Sequence, residues 1–268
     1  MTESSDVPVV IAGANGRMGR QCVQAILQQV DLVLVSAYGK ARGVGEDVGV
    51  LSGGEPCGIV LEDDAESAIA KAAGGVMIDF TLGPSAKNNV LTALRHDVAC
   101  VVGVTAIPPA DEQEMAAAAT RRGVLVCPNF ALGAVLMMKF SKQAAKYFKW
   151  AEIIEYHHER KLDAPSGTAR RTADMMRKAR DDGFRTPVDS EETVKGVRGG
   201  SLGGLRIHSV RLPGKLAHQE VILAAPGETL TIRHDATDRE CYMPGVLLAA
   251  RKVLDMTGLT VGLENILD

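Results

Sequence analysis

A short segment, EYHHERKLDAPSGTAR at residues 155–170, brings together several side chains that can do chemistry. It holds two adjacent histidines, His157 and His158, then Lys161 and a turn of small residues. Histidine can donate a proton near neutral pH because its ordinary pKa lies close to that range. Lysine can stabilise a negative charge as it develops. This combination is typical of a site that protonates an anionic substrate.

The residues around this segment predict the elements that position it. The stretch 153–158 alternates as a strand does, and Pro165 excludes one continuous helix through the segment. A helix is expected to start at the small-residue turn, with Ser166 as its cap, Gly167 permitting close approach, and Thr168 in the first turn. Free backbone N–H groups at such a start are expected to bind an anion.

Two other interpretations of the histidine pair stay open. A charged strand end at the surface, with one hydrogen-bonded histidine, would have the same composition. A metal site is less favoured, because adjacent strand residues point to opposite faces and no third ligand follows at a suitable spacing.

A glycine-rich turn near the N-terminus, within VVIAGANGRMGR, is a candidate phosphate-binding site. Gly13, Gly16 and Gly19 follow an apolar strand pattern and lead into a helix pattern. In that context glycines let the backbone approach a phosphate, and the helix N-terminus attracts its charge. We therefore predict a nicotinamide dinucleotide here, with a purely structural turn as the alternative. With a hydride donor, the histidine and lysine segment fits reduction of an unsaturated dicarboxylate.

The end of the second predicted strand bears on which dinucleotide binds. An acidic residue that holds the ribose hydroxyls is usual there, but this chain has Gly39 and Lys40. The missing carboxylate removes a repulsion toward a 2′-phosphate, and Lys40 with nearby Arg42 would attract one. We therefore expect NADPH to be used at least as well as NADH. Two solvated loop cations are the alternative.

Strand and helix patterns alternate up to about residue 130, which predicts an α/β fold with a Rossmann-type doubly wound parallel sheet. Residues 1–130 plus 240–268 are predicted to form this dinucleotide-binding domain, its last part being a helix and a short apolar tail. Strands are expected at 7–13, 31–38, 58–63, 74–81, 98–105 and 124–130, and helices near Met18, Ala65, Pro84 and Pro109.

Residues 131–239 have a different pattern and predict a second, α+β domain that carries an open mixed sheet and binds substrate. The charged, glycine-rich stretch 182–204 is expected to be a mobile loop. The expected elements are helices at 134–148 and 166–181, a strand at 151–158, and strands at hairpin-like spacing at 205–212, 217–225 and 228–236.

The composition favours a soluble, cytoplasmic protein that acts on small molecules, without nucleic-acid or membrane partners. The 268 residues are 46% hydrophobic, and 30 basic against 33 acidic residues leave no basic footprint for nucleic acid. No apolar run reaches the roughly 18 to 20 residues that span a bilayer. The N-terminus lacks the features of a secretion signal, and the 5 scattered cysteines are typical of reduced core residues.

The motifs AGANGRMGR, DFT, NF and EYHHERKLDAPSGTA together resemble the dihydrodipicolinate reductase family of bacterial lysine biosynthesis. The resemblance covers essentially the whole chain. It implies NAD(P)H-dependent reduction of 4-hydroxy-tetrahydrodipicolinate, a cyclic dicarboxylate, to tetrahydrodipicolinate in the diaminopimelate pathway. The chain departs from the family where an acid and an arginine are common, at Gly39 and Lys40, and in having GVTA for G-T-T-G.

The resemblance also implies roles for individual residues. His157 would donate the proton with Lys161 as its essential partner, and the substrate carboxylates would be bound by His158, Ser166, Gly167 and Thr168. The implied cofactor-binding residues are Gly13, Arg17, Met18, Thr81, Gly103, Thr105, Asn129 and Phe130. Asn15 and Gly16 of the same turn, and Lys40, complete the expected cofactor set.

Family members are typically homotetramers built through the sheets of their second domains, so the second domain is also expected to mediate oligomerisation. Two other functions remain open. One is a related imine or semialdehyde dehydrogenase, and the other is a regulator that senses a dinucleotide without turnover. His157 and Lys161 disfavour the regulator, because a sensor needs no proton donor.

Overall fold

The computed structural model describes residues 6–40, 42–105, 107–185 and 191–267. The chain divides into two compact units, Met1–Phe130 with Tyr242–Asp268, and Ala131–Cys241. The strands are β1 Val7–Ala12, β2 Leu32–Tyr38, β3 Leu61–Glu62, β4 Val76–Asp79, β5 Ala99–Val102, β6 Gly123–Val126, β7 Trp150–His157, β8 Gly200–Leu202, β9 Leu205–Arg211, β10 Ala217–Ala225, β11 Glu228–Ala236 and β12 Gly258–Val261. The helices are α1 Arg17–Leu27, α2 Val48–Leu51, α3 Ala65–Ala70, α4 Gly83–Arg95, α5 Pro109–Ala118, α6 Leu132–Ala144, α7 Gly167–Lys178 and α8 Met243–Lys252.

The first unit contains a seven-stranded sheet in the order β12-β6-β5-β4-β1-β2-β3, and all its strand pairs are parallel. The central strands are continuous apolar runs, such as the fully buried residues 9–12, because helices cover both faces of such a sheet. The predicted Rossmann-type fold is confirmed. The strand order reverses between β1 and β4, and ligands bind at the carboxyl ends of the strands at such a point.

The apolar tail of the chain forms an element that the sequence pattern did not predict. β12 pairs in parallel with β6, with Gly258 opposite Gly123 and Val261 opposite Val126. Only 4 residues make this strand, too few to show a period. The tail thus completes one edge of the parallel sheet.

The second unit contains a five-stranded mixed sheet in the order β11-β10-β7-β9-β8. β7 and β9 are parallel and the other pairs are antiparallel. α6 and α7 contact each other, α6 contacts β10 and β11, and α7 contacts β7 and β9, so both helices cover one face. The predicted α+β unit with an open mixed sheet is confirmed.

Two details of the second unit differ from the sequence predictions. β9 and β10 do not form a hairpin, because β7 lies between them and pairs with both. The stretch 182–204, predicted as a loop, contains β8, which pairs antiparallel with β9. Residues 186–190 of that stretch lie outside the described residues. In the described ranges no helix has the length and apolarity needed to cross a membrane.

Candidate active site

The end of β7 holds a histidine against a buried carboxylate. Glu155 and His157 lie on the same face of the strand, and Nδ1 of His157 is 2.5 Å from Oε2 of Glu155. Glu155 is fully buried, and Arg211 of β9 donates to both of its oxygens, over 2.9 Å and 2.8 Å. The backbone N–H of Ser166 donates to Oε1 over 3.2 Å. Two strands and the start of α7 therefore fix this carboxylate.

Glu155 is ionised throughout the neutral range. Burial would raise its pKa, but hydrogen bonds from His157, Arg211 and Ser209 lower it by more, and the pKa is held at about 2. A carboxylate can only accept, so we assign the proton of this short hydrogen bond to Nδ1 of His157. Nε2 is then the atom that exchanges a proton. The imidazole side chain remains 14% exposed, which leaves it accessible to a ligand.

Lys161 lies in the loop that follows β7. Its Nζ donates to Oδ1 of Asp163 over 2.7 Å, and this hydrogen bond lowers the pKa of Asp163. The carbonyl oxygen of Asp163 accepts a hydrogen bond from Arg211 over 2.7 Å. An ammonium group has three N–H donors, and the hydrogen bond to Asp163 uses one of them. Arg211 ties this loop to the carboxylate of Glu155.

α7 starts at the small-residue turn, as the sequence predicts. Ser166 caps the helix, with its hydroxyl oxygen accepting from the N–H of Ala169 over 3.2 Å, so the predicted cap is confirmed. A Cβ at Gly167 would meet no atom within 4 Å, so the space beside this first helical residue is open. His158 is half-buried, and its buried Nδ1 has no hydrogen-bond partner among the described residues. The unpartnered Nδ1 of His158 and the open space beside Gly167 are accessible features of this helix start.

Sequence reasoning did not identify three residues of this cluster, Glu155, Arg211 and Asp163. Glu155 carried one signal, since it stands two residues before His157 in a strand whose alternate residues are buried. Arg211 carried none, because only the parallel pairing of β7 with β9 places it opposite His157.

The first unit has a pocket of about 670 Å³ at the carboxyl ends of β1 and β4. Gly13 adopts φ +77°, and a Cβ there would lie 3.0 Å from the carbonyl carbon of Phe80. A Cβ at Gly19 would lie 2.1 Å from the carbonyl oxygen of Gly13, so the turn requires glycine at both positions. Such a cradle fits the phosphates of a dinucleotide. The predicted residues that line the pocket are Gly13, Asn15, Gly16, Lys40 and Thr81.

A buried carboxylate positions Thr81 in the wall of this pocket. Asp79 accepts hydrogen bonds from the N–H of Thr81 over 2.7 Å and from Nδ2 of Asn89 over 2.9 Å. The same nitrogen of Asn89 lies 3.2 Å from Oγ1 of Thr81. Burial raises the pKa of Asp79.

Asn15 connects the glycine-rich turn to the loop after β2. Its Nδ2 donates to the carbonyl oxygens of Lys40, over 3.1 Å, and Arg42, over 2.9 Å. A Cβ at Gly39 would lie 2.5 Å from Oδ1 of Asn15, so the glycine and the asparagine are sterically matched. Lys40 is exposed and lines the pocket. The departure from an acidic residue at Gly39 thus has a steric reason within this chain.

The other predicted cofactor residues do not line this pocket. A Cβ at Gly103 would lie 2.4 Å from the ring of Phe80 and 3.0 Å from that of Phe130, and the two rings form an edge contact at 5.8 Å. Phe130 is buried, so Gly103 and Phe130 both have a packing role. Their contact with a cofactor stays a prediction, as does that of Arg17, Met18, Thr105 and Asn129.

The sequence matches two family models, "Dihydrodipicolinate reductase, N-terminus" over residues 7–130 and "Dihydrodipicolinate reductase, C-terminus" over residues 133–267. The chain belongs to the dihydrodipicolinate reductase family. The 4-hydroxy-tetrahydrodipicolinate reductase of Moorella thermoacetica is 47% identical over 264 residues, which are 98% of each chain. The enzyme of the same name from Desulfitobacterium hafniense is 45% identical and covers 98% of this chain and 99% of its own.

A solved structure has the same architecture over its whole length. The dihydrodipicolinate reductase from Paenisporosarcina, with dipicolinate bound, is 37% identical, has a TM-score of 0.87, and covers 98% of this chain and 100% of its own. An amine dehydrogenase from Mycobacterium smegmatis, at 16% identity and a TM-score of 0.65, shares the fold. The predictions of family and enzyme class are confirmed. The chain is a dihydrodipicolinate reductase-family oxidoreductase that uses NADH or NADPH. The relatives do not favour the two alternative functions, a related imine or semialdehyde dehydrogenase and a regulator that senses a dinucleotide.

Proposed function

We propose that His157 is the proton donor in the NAD(P)H-dependent reduction of 4-hydroxy-tetrahydrodipicolinate to tetrahydrodipicolinate, with Lys161 as its partner. The observation that carries the proposal is the histidine at the end of β7. One of its nitrogens is committed to a buried carboxylate and the other is left to exchange a proton, while the start of α7 contacts the same carboxylate through the N–H of Ser166.

The reaction requires a proton as well as a hydride. Bound NADH or NADPH supplies the hydride. The product lacks the 4-hydroxyl group, and its departure as water leaves a double bond conjugated to the imine. Hydride adds to one end of that double bond, and the electron pair of the double bond shifts toward the imine. A ring carbon then takes up a proton. Nε2 of the His157 imidazolium gives that proton and becomes neutral, while Nδ1 keeps its hydrogen bond to Glu155.

The two carboxylates of the substrate need cationic or N–H partners. The positive end of the α7 dipole, at Gly167 and Thr168, fits one carboxylate, and Lys161 fits negative charge near the reacting atoms. His158 supplies a further polar contact through Nδ1. In this assignment Ser166 acts mainly by capping α7 and thereby fixing the position of its first turn.

A turnover assay tests this proposal. The purified chain would receive 4-hydroxy-tetrahydrodipicolinate made in situ by the preceding synthase, and loss of NADH or NADPH absorbance would be followed. We expect turnover that depends on the synthase with at least one of the two cofactors. An absence of turnover with both cofactors would contradict the proposed reaction.

Lys40 is proposed to contact the 2′-phosphate of NADPH. Lys40→Ala is expected to raise the Kd for NADPH about 10- to 150-fold and to change the Kd for NADH little, because a hydrogen bond to a charged group is worth about 1.5 to 3 kcal/mol. Fluorescence titration of both cofactors measures the difference. Lys71→Ala is the matched control, since Lys71 pairs with Glu62 and does not line the pocket. Equal effects of Lys40→Ala on both cofactors would contradict the contact.

We also propose a cytoplasmic homotetramer that forms through the sheet of the second unit. All five cysteines are free, in keeping with a reducing compartment. In the described residues one face of this sheet has no helix over it, and Ile154, Tyr156 and Ile222 lie there partly exposed.

Light scattering after size-exclusion chromatography tests the assembly. Ile222→Lys is expected to shift the protein from tetramers to smaller species, because a tetramer through this face would bury the new charge. Val30→Lys, at a residue that is 92% exposed in the first unit, is the control. A wild-type monomer would contradict the proposed tetramer, and an Ile222→Lys tetramer would contradict this interface.

A further inference from the structure

The buried carboxylate behind His157 has no direct part in the reaction proposed above. We propose that Glu155, clamped by Arg211, is the positioning residue that fixes the ring of His157 and aligns it with the start of α7. This inference rests on the proposed role of His157 as proton donor. Glu155 itself touches neither substrate nor cofactor in this assignment.

The hydrogen bonds of Glu155 leave its carboxylate one orientation. Oε2 accepts from Nδ1 of His157 and from Arg211, and Oε1 accepts from the other guanidinium nitrogen of Arg211 and from the N–H of Ser166. Rotation of the carboxylate would break all four contacts in a fully buried place. The imidazole is thereby held with Nε2 as the free nitrogen.

The contact with Ser166 extends the effect of Glu155 beyond the histidine. Ser166 is the residue that caps α7, and its backbone N–H donates to Oε1 of Glu155 over 3.2 Å. One side chain therefore sets both the orientation of the proton donor and the place of the helix start that would bind a carboxylate. A substrate held by the helix start would lie at a fixed distance from Nε2.

The charged groups around Glu155 and His157 determine how loss of the Glu155 carboxylate should affect the histidine. Arg211 faces Glu155 from β9, and Lys161 and Asp163 pair in the loop after β7. From β10 the residue opposite Glu155 is the neutral Gln219, and α7 contributes Ser166 and Thr172. Glu155→Gln would leave two cations and one carboxylate near His157. The charged imidazolium would then be less stable relative to the neutral ring.

The direction of the pH effect follows from the role of His157 as an acid. The reaction needs the protonated ring, so kcat falls as the pH rises and the ring loses its proton. If Glu155→Gln destabilises the protonated ring, the fall in kcat moves to lower pH. We expect a shift of about 1 to 3 pH units, as for loss of a neighbouring opposite charge.

The experiment is the pH profile of kcat for the wild type, Glu155→Gln and Glu155→Asp, with NMR titration of the His157 ring in each protein without substrate. Glu155→Asp keeps the charge but withdraws the carboxylate from Nδ1 of His157, so we expect a shift in the same direction that is smaller than that of Glu155→Gln. The matched control is Glu152→Gln, which removes a carboxylate from the other face of β7, where Glu152 pairs with Arg198 and His208. Its profile should coincide with that of the wild type, and its oligomeric state would be checked in parallel.

A uniform loss of kcat in Glu155→Gln with an unshifted profile and an unshifted ring titration would overturn the inference. If Glu155→Gln does not fold, Glu155→Asp decides, because an unchanged pH profile and ring titration there would overturn it and a smaller shift in the same direction would support it. The ring titration needs no substrate. A wild type without turnover would therefore count against the proposed function, whereas the titration tests the placement of His157 by itself.

Discussion

His157→Gln is expected to lower kcat by about 10² to 10⁴ while the Kd for NADH or NADPH stays nearly unchanged. Glutamine is close to histidine in volume and can still donate a hydrogen bond toward Glu155, so the clamp around Glu155 should persist. It has no group that releases a proton near neutral pH. The loss should therefore fall on the chemical step and not on cofactor binding.

Steady-state kinetics and cofactor titration on the same preparation separate these two effects. His96→Gln is a suitable control, because His96 is also paired with a glutamate, Glu66, but lies in the first unit outside the dinucleotide pocket. It should keep wild-type kcat. A His157→Gln enzyme with full kcat would show that the proton comes from another group.

Lys161→Ala is expected to lower kcat/KM by about 10² to 10³, because it removes a charge that stabilises the transition state. Only the pair with Asp163 would be lost from the folded protein, and an ion pair with an exposed partner contributes about 0 to 1 kcal/mol to the free energy of unfolding. Stability should thus change far less than activity.

The neighbouring Arg160 supplies the matched control for Lys161. Its side chain is 83% exposed and pairs with Glu159, so Arg160→Ala removes the same charge one residue away. Its kcat/KM should equal that of the wild type, and thermal unfolding of both variants would be compared. Equal kinetic losses in the two variants would mean that the effect is a general one of surface charge.

Much of the fold could be predicted because local patterns decide it. The strands at 217–225 and 228–236 have the bounds expected from sequence, and α3 and α5 begin at Ala65 and Pro109 as predicted. Strand order is not a local property. The insertion of β7 between β9 and β10 and the addition of β12 beside β6 depend on contacts between distant segments.

The difference between local patterns and contacts between distant segments also explains which residues of the candidate site the sequence predicted. His157, Lys161 and Ser166 are close in sequence, so their spacing alone predicted a cluster. Arg211 reaches Glu155 only through strand pairing across a separation of 56 residues. A buried carboxylate with a guanidinium clamp has no short sequence pattern, so only the three-dimensional arrangement shows it.

On the cofactor side, the glycine-rich turn was predictable because its steric demands act within one turn of chain. The fit between Gly39 and Asn15 was not, because it joins the loop after β2 to the turn after β1. It gives a steric reason for glycine at this position. Whether Lys40 then favours NADPH is decided by the cofactor titrations of its alanine variant.

The most direct test of the central claim follows the transferred hydrogen. NADPH or NADH carrying two deuterium atoms at carbon 4 of the nicotinamide would be incubated with the chain and synthase-generated substrate, and the product analysed by mass spectrometry. We predict tetrahydrodipicolinate that contains one deuterium per molecule. Cofactor oxidation with no deuterium in the product, or no oxidation with either cofactor, would contradict direct hydride transfer to this substrate.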